Sequence, residues 1–150
     1  YAEARRIHER AGTLESEDGA RLMINTGIAK SKGGDPEGAL EAYELALQLV
    51  QRLGKLETEH GANLLVSVGL TRVDILDNDG ALKAFSEAKR IREKLRILET
   101  LEGARLMMSL GTAKGLRGDL NGKLNAYSEA RRLHEASKTL DSEDGALLLN

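Results

Sequence analysis

The sequence predicts an all-α solenoid, a stack of antiparallel helix-turn-helix units, and three observations predict it. Gly-Ala pairs begin at Gly19, Gly61, Gly103 and Gly145, each 42 residues after the last. Tyr1, Tyr43, Phe85 and Tyr127, which are every aromatic residue of the chain, keep the same spacing. Within each period, apolar residues recur at helical intervals and are separated by turn-forming residues. Further ladders run through Leu14, Leu56, Leu98 and Leu140 and through Asp35, Asp77 and Asp119. About 3.5 periods of 42 fit the 150 residues, and in such an array each unit buries its apolar face against its neighbours.

The first helix of a unit, helix A, is expected from about Asp18 to Lys32, with Ala20, Leu22, Met23, Ile24, Ile28 and Ala29 as its apolar residues. Ser16, Thr58, Thr100 and Ser142 stand where an N-cap belongs, and acids such as Glu17 and Asp18 follow in the first turn, where the helix dipole favours them. Gly33-Gly34 ends the helix, because glycine accepts positive φ. Asp35-Pro36-Glu37 then opens helix B with a capping carboxylate and a proline at the first helical position. Helix B is expected to reach about Leu53, with Ala39, Leu40, Ala42, Tyr43, Ala46, Leu47 and Val50 on a broad apolar face. A short connection through Gly54 and Leu56 leads to the next unit. The divisions are a partial unit over 1–17, repeats over 18–59, 60–101 and 102–141, and a partial helix A over 142–150. With both ends falling inside a unit, the chain reads as an excerpt of a longer array whose end faces are apolar.

Glycine inside a helix costs about 1 kcal/mol relative to alanine, so the recurrence of Gly27, Gly69 and Gly111 needs a cause. Close approach of helix B supplies it, with small residues at Ala39 and Ala46 and the Tyr43 ring filling the space that remains.

These residues resemble the tetratricopeptide family, whose pattern sets a glycine in helix A and then Ala-x-x-x-aromatic with a further Ala in helix B. Gly27, Ala39, Tyr43 and Ala46 stand at the family spacings, as do Gly69, Ala81, Phe85 and Ala88. The third set is Gly111, Lys123, Tyr127 and Ala130, in which only Lys123 departs. The aromatic positions of the family's helix A read Met23, Leu65 and Met107 and then Lys30, Arg72 and Lys114, and its closing proline reads Gln51, Glu93 and Glu135. With a period of 42, the chain is similar to the longer repeats of kinesin-light-chain-like and cell-polarity adaptors. The resemblance covers the whole chain. It implies a right-handed superhelix with helix A lining the concave side, and a role in protein recognition.

On that geometry the concave side would carry Arg21, Ile24, Asn25, Ile28 and Lys32, then Asn63, Val66, Ser67, Leu70 and Asp74, then Arg105, Met108, Ser109 and Thr112. An extended or helical peptide could seat apolar anchors on the stripe while Arg21, Asn25, Asn63 and Arg105 hold its backbone or an acidic group. The alternative is plain packing of Ile24, Val66 and Met108 between units, with solvated polar margins. The clamp of chaperone-binding members needs Lys and Asn where Ile24, Ile28, Val66 and Leu70 stand, so capture of a C-terminal carboxylate is not expected.

Other functions find little support. A net charge of −2 gives no basic field for nucleic acid or an anionic membrane surface, and no apolar run spans a bilayer or reads as a signal peptide, so a cytoplasmic location is expected. The chain has no Cys, hence no disulfide, thiolate metal site or cysteine nucleophile. The bases of helix B (Lys89, Arg90, Arg92, Lys94, Arg131 and Arg132 among them) and acids such as Glu17, Glu57 and Glu99 read as complements of helix dipoles. His8 and His134 are three periods apart, His60 is alone, and no metal or cofactor is expected. Gly33-Gly34-Asp35-Pro36-Glu37-Gly38 lacks the Lys-Ser/Thr of a phosphate loop and joins two helices. No nucleophile with its base can be assembled, so the expectation is a non-enzymatic scaffold that binds a protein or peptide. The alternative is an array that self-associates end to end, through Tyr1, Ile7, Leu147, Leu148 and Leu149.

Overall fold

The computed structural model describes Arg6, the backbone of residues 16–147 and the side chains of 16–138. Tyr1, Ile7, His8 and the rest of the segment before Ser16 lie outside the described residues, as do Leu148 and Leu149 and the side chain of Leu147. Among the described residues six helices follow one another: α1 (Glu17–Lys32), α2 (Pro36–Arg52), α3 (Glu59–Asp74), α4 (Asn78–Lys94), α5 (Leu101–Leu116) and α6 (Leu120–Leu147). They pair as α1 with α2, α3 with α4 and α5 with α6, and each pair packs on the next through α2 on α3 and α4 on α5. The architecture is thus the all-α stack of helical hairpins that the period predicts.

Six of the start signals are used, and Ser142 is not, since the helix runs through it. Ser16, Thr58 and Thr100 accept a hydrogen bond from the backbone N–H three residues on, at 3.2, 3.1 and 3.1 Å. Asp35, Asp77 and Asp119 do the same for α2, α4 and α6 at 2.9, 2.9 and 2.8 Å. Each cap satisfies one of the orphan donors of a helix N-terminus. The stop signals are less regular. Of Gly33-Gly34 only Gly34 has positive φ (79°); Leu76 takes φ of 64° where the other two units have glycine, and Arg96 takes 58° where the first unit has Gly54. The turn geometry survives because its bonds do: the Asp77 N–H reaches the Arg72 carbonyl at 2.8 Å, and the Ile97 N–H reaches that of Arg92 at 2.9 Å.

The core is two linked clusters, each shared by adjacent units. Tyr43, Ala39 and Ala46 pack with Met23 and, from the next hairpin, Leu64 and Val68. Phe85, Ala81, Ala88 and Ile91 have no exposed surface and pack with Leu106, Met107 and Leu110. A Cβ placed on Gly27 would stand 2.5 Å from the Tyr43 ring, one on Gly69 would overlap the Phe85 ring, and one on Gly111 would stand 2.7 Å from the Tyr127 ring. The helices therefore meet across glycine and an aromatic ring.

One division differs from expectation. A connection was expected near Leu140 and a new helix A from Ser142, yet α6 runs unbroken to Leu147. Lys138 stands one period after Arg96 and two after Gly54, which leave their helices at positive φ. It stays helical instead, and the chain continues straight.

Candidate binding face

The helices α1, α3 and α5 turn one stripe toward their partner helices and leave another free. On the free stripe Arg21, Asn25, Ile28 and Lys32 of α1 are exposed and Ile24 is half-buried. On α3, Asn63, Leu70 and Asp74 are exposed while Val66 and Ser67 are half-buried. On α5, Arg105, Met108 and Thr112 are exposed and Ser109 is half-buried. Apolar side chains here are unusually open: Ile28 is 39% exposed, Leu70 48% and Met108 56%. The hydroxyls of Ser67, Ser109 and Thr112 donate to carbonyls of the preceding turn of their own helices at 3.3, 3.2 and 3.0 Å; the oxygens of Ser67 and Ser109 are left to accept, while that of Thr112 also meets the Tyr127 hydroxyl at 3.0 Å. The outward donors are Asn25, Asn63, Arg105 and Arg21, whose guanidinium also meets Asp18 at 2.6 Å.

At the edge of this stripe the first and third hairpins hold open cavities of about 450 and 480 Å³. Five lining positions of the first, Glu17, Ala20, Arg21, Ile24 and Val50, recur two periods later in the third as Leu101, Ala104, Arg105, Met108 and His134. In the middle hairpin the Val50 position is Arg92. Arg92 is one of the bases that complement a helix dipole, yet it is only 2% exposed. It lies beneath Asn63 and donates from Nη2 to Asn63 Oδ1 at 2.5 Å, while its buried Nε has no partner.

The other bases do more than complement dipoles. Arg90 and Lys94, near the end of α4, both pair with Glu57 just ahead of α3, the former at 2.8 Å. Arg132 pairs with Glu99 at 3.2 Å, and Lys55 pairs with Glu17. Each bond clasps the start of a helix A to its helix B or, for Lys55, to the turn just after it. Hydrogen bonding from Lys94 and then Arg90 holds the Glu57 carboxyl below the usual carboxylate range, as Lys55 does for Glu17. At the opposite end, Lys30 lies 3.6 Å from Asp35, and Arg72 reaches both Asp77 and, at 2.6 Å, Glu44. These are the positions where the tetratricopeptide pattern has an aromatic. Asp77 is held low chiefly by the Gly80 N–H and then by Arg72. His60 and His134 are exposed, and no group of three metal-ligating side chains occurs among the described residues. No helix among the described residues is long and apolar enough to cross a membrane.

The burial of Arg92 and the ionic clasps escaped the sequence reading. A periodic signal for the clasps was present, since Glu57 and Glu99, like Arg90 and Arg132, are 42 apart.

No family model and no curated protein matches the sequence. Among solved structures, the chain is similar to BtubC (BKLC) from P. vanneervenii, with a TM-score of 0.83 and 23% identity. The match covers 92% of this chain and 55% of that one, so the chain spans about half the length of that protein. At this identity the likeness is one of fold, and the fold is the tetratricopeptide-like helical repeat.

Proposed function

We propose that the chain is a non-enzymatic protein-interaction scaffold that takes a peptide or a partner helix along the free stripe of α1, α3 and α5. The observation that carries this reading is the exposure of Ile28, Leu70 and Met108 on equivalent faces of consecutive hairpins, edged by amide and guanidinium donors. An apolar stripe with polar margins suits apolar anchors on the stripe and main-chain or acidic groups at its rim. Peptides selected from a random display library against the protein test this reading. Replacing Leu70 and Met108 by Asp should weaken the selected binders at least about tenfold, the equivalent of ~1.4 kcal/mol. The melting temperature should hold, because both side chains already face water. Binders that hold the doubly substituted protein as tightly as the parent would remove the stripe from consideration.

A second reading, end-to-end self-association, has its own observation. Leu40 and Leu82 are half-buried under the following hairpin, whereas the equivalent Leu124 is 62% exposed, beside Leu120 at 64% and Leu116 at 55%. Sedimentation over a wide concentration range separates the two readings. A mass that climbs without limit supports stacking, and a constant monomer supports the stripe.

A further inference from the structure

Arg92 is an expensive residue for this position. A buried cation costs several kcal/mol unless it is paired, and no carboxylate pairs with Arg92 among the described residues. The fold does not require it, since Val50 fills the same register one hairpin earlier. Its one bond has a chemical consequence for the surface. An asparagine offers one acceptor and two donors, and the acceptor of Asn63 is taken by Arg92 from below. The exposed amide therefore presents its Nδ2 donors outward, above a positive charge that the protein does not neutralise. The neighbouring stations on either side are apolar cavities, floored by Ala20, Ile24 and Val50 in the first hairpin and by Ala104 and Met108 in the third. Arg105, on the same face, has no ion-pair partner among the described residues, so the charge of the stripe favours an acidic ligand.

We propose that Asn63, positioned and polarised by the buried Arg92, makes the middle station selective for a carboxylate side chain, so that the stripe takes peptides with Asp or Glu between two apolar anchors. This rests on the stripe being the binding face, and it adds which residue the centre of the ligand must be. Charge-assisted hydrogen bonds are about twice as strong as neutral ones, which sets the expected preference.

The test uses synthetic peptides with two leucines around a central Glu, Gln or Leu, the spacing between the leucines being stepped, titrated by fluorescence anisotropy. The parent protein should bind the Glu peptide about tenfold more tightly than the Gln peptide, with Leu weakest. Arg92→Val, which installs the first hairpin's residue, should invert the order and favour Leu. Asn63→Asp, which keeps an acceptor for the buried Arg92 but loses the Nδ2 donors, should remove the preference for Glu while retaining binding of the Leu peptide. Equal binding of all three centres by the parent would overturn the selectivity and leave the stripe standing. No binding at any spacing would overturn both.

Discussion

The second and third hairpins follow one plan and pack differently. Phe85 has no exposed surface, whereas Tyr127 is half-buried, with its hydroxyl 3.0 Å from the Thr112 hydroxyl. Both rings lie against a glycine of the preceding helix, so the glycine is not the difference. One turn before the ring, Ala81 becomes Lys123, whose ammonium lies 5.6 Å from the Tyr127 ring centre. Its stem needs room, and the room comes from Gly115, which stands where the second hairpin has Val73: a Cβ there would be 2.6 Å from Lys123 Cδ. A long side chain on one helix has been absorbed by deleting one on the other. The repeat thus fixes which positions face each other, while the sum of the two side chains decides how tightly they close.

Truncating the rings gives the largest expected effect. Phe85→Ala should cost about 3–5 kcal/mol in urea denaturation, because a fully enclosed ring leaves a cavity. Tyr43→Ala, at 4% exposure, should cost a similar few kcal/mol. Tyr127→Ala should cost about half as much, since solvent already reaches the ring. Equal losses at Phe85 and Tyr127 would erase the distinction between the hairpins.

Much of this was legible in the sequence. The period located the described helices to within a residue or two, the end of α6 excepted, because the N-cap Ser, Thr and Asp and the ring-facing glycines act locally and recur. The outward register of Ile28, Leu70 and Met108 was legible for the same reason. Three things were not. Arg92 looks like any other base of α4 until Asn63, 29 residues earlier, is brought above it. Lys123 looks like a flaw until Gly115 is seen across from it. The unbroken run of α6 hides because Lys138 resembles Arg96, and only the turn actually formed separates them.

The stop signals offer a smaller effect, of opposite sign. Leu76 is 83% exposed and holds φ of 64° where the first and third hairpins have glycine, so its side chain gains little and its backbone is strained. Leu76→Gly should stabilise the protein by about 0.5–1 kcal/mol, the relief of left-handed strain less the added freedom of the unfolded chain. A drop in melting temperature would show that the exposed leucine has a contact worth more than the strain.

The smallest expected effect separates the first hairpin from the second by pH. Burial pushes the Tyr43 hydroxyl above its ordinary value, which favours the neutral form in the folded state. That contribution is fully present below the unfolded tyrosine pKa of about 10 and fades as the pH rises through the folded one. Tyr43→Phe should therefore flatten the alkaline limb of the stability curve, as measured by urea midpoints from neutral pH upward. Phe85 can make no such contribution, and an unchanged alkaline limb would assign that loss to other groups.

The pattern of helix contacts has a mechanical consequence. Hairpins join chiefly through a helix B resting on the next helix A, while α3 and α5, which carry the stripe, scarcely touch. The lining of the stripe is therefore a row of separate slats hung from a continuous backing, each held mainly by the helices behind it and little by its neighbour on the stripe.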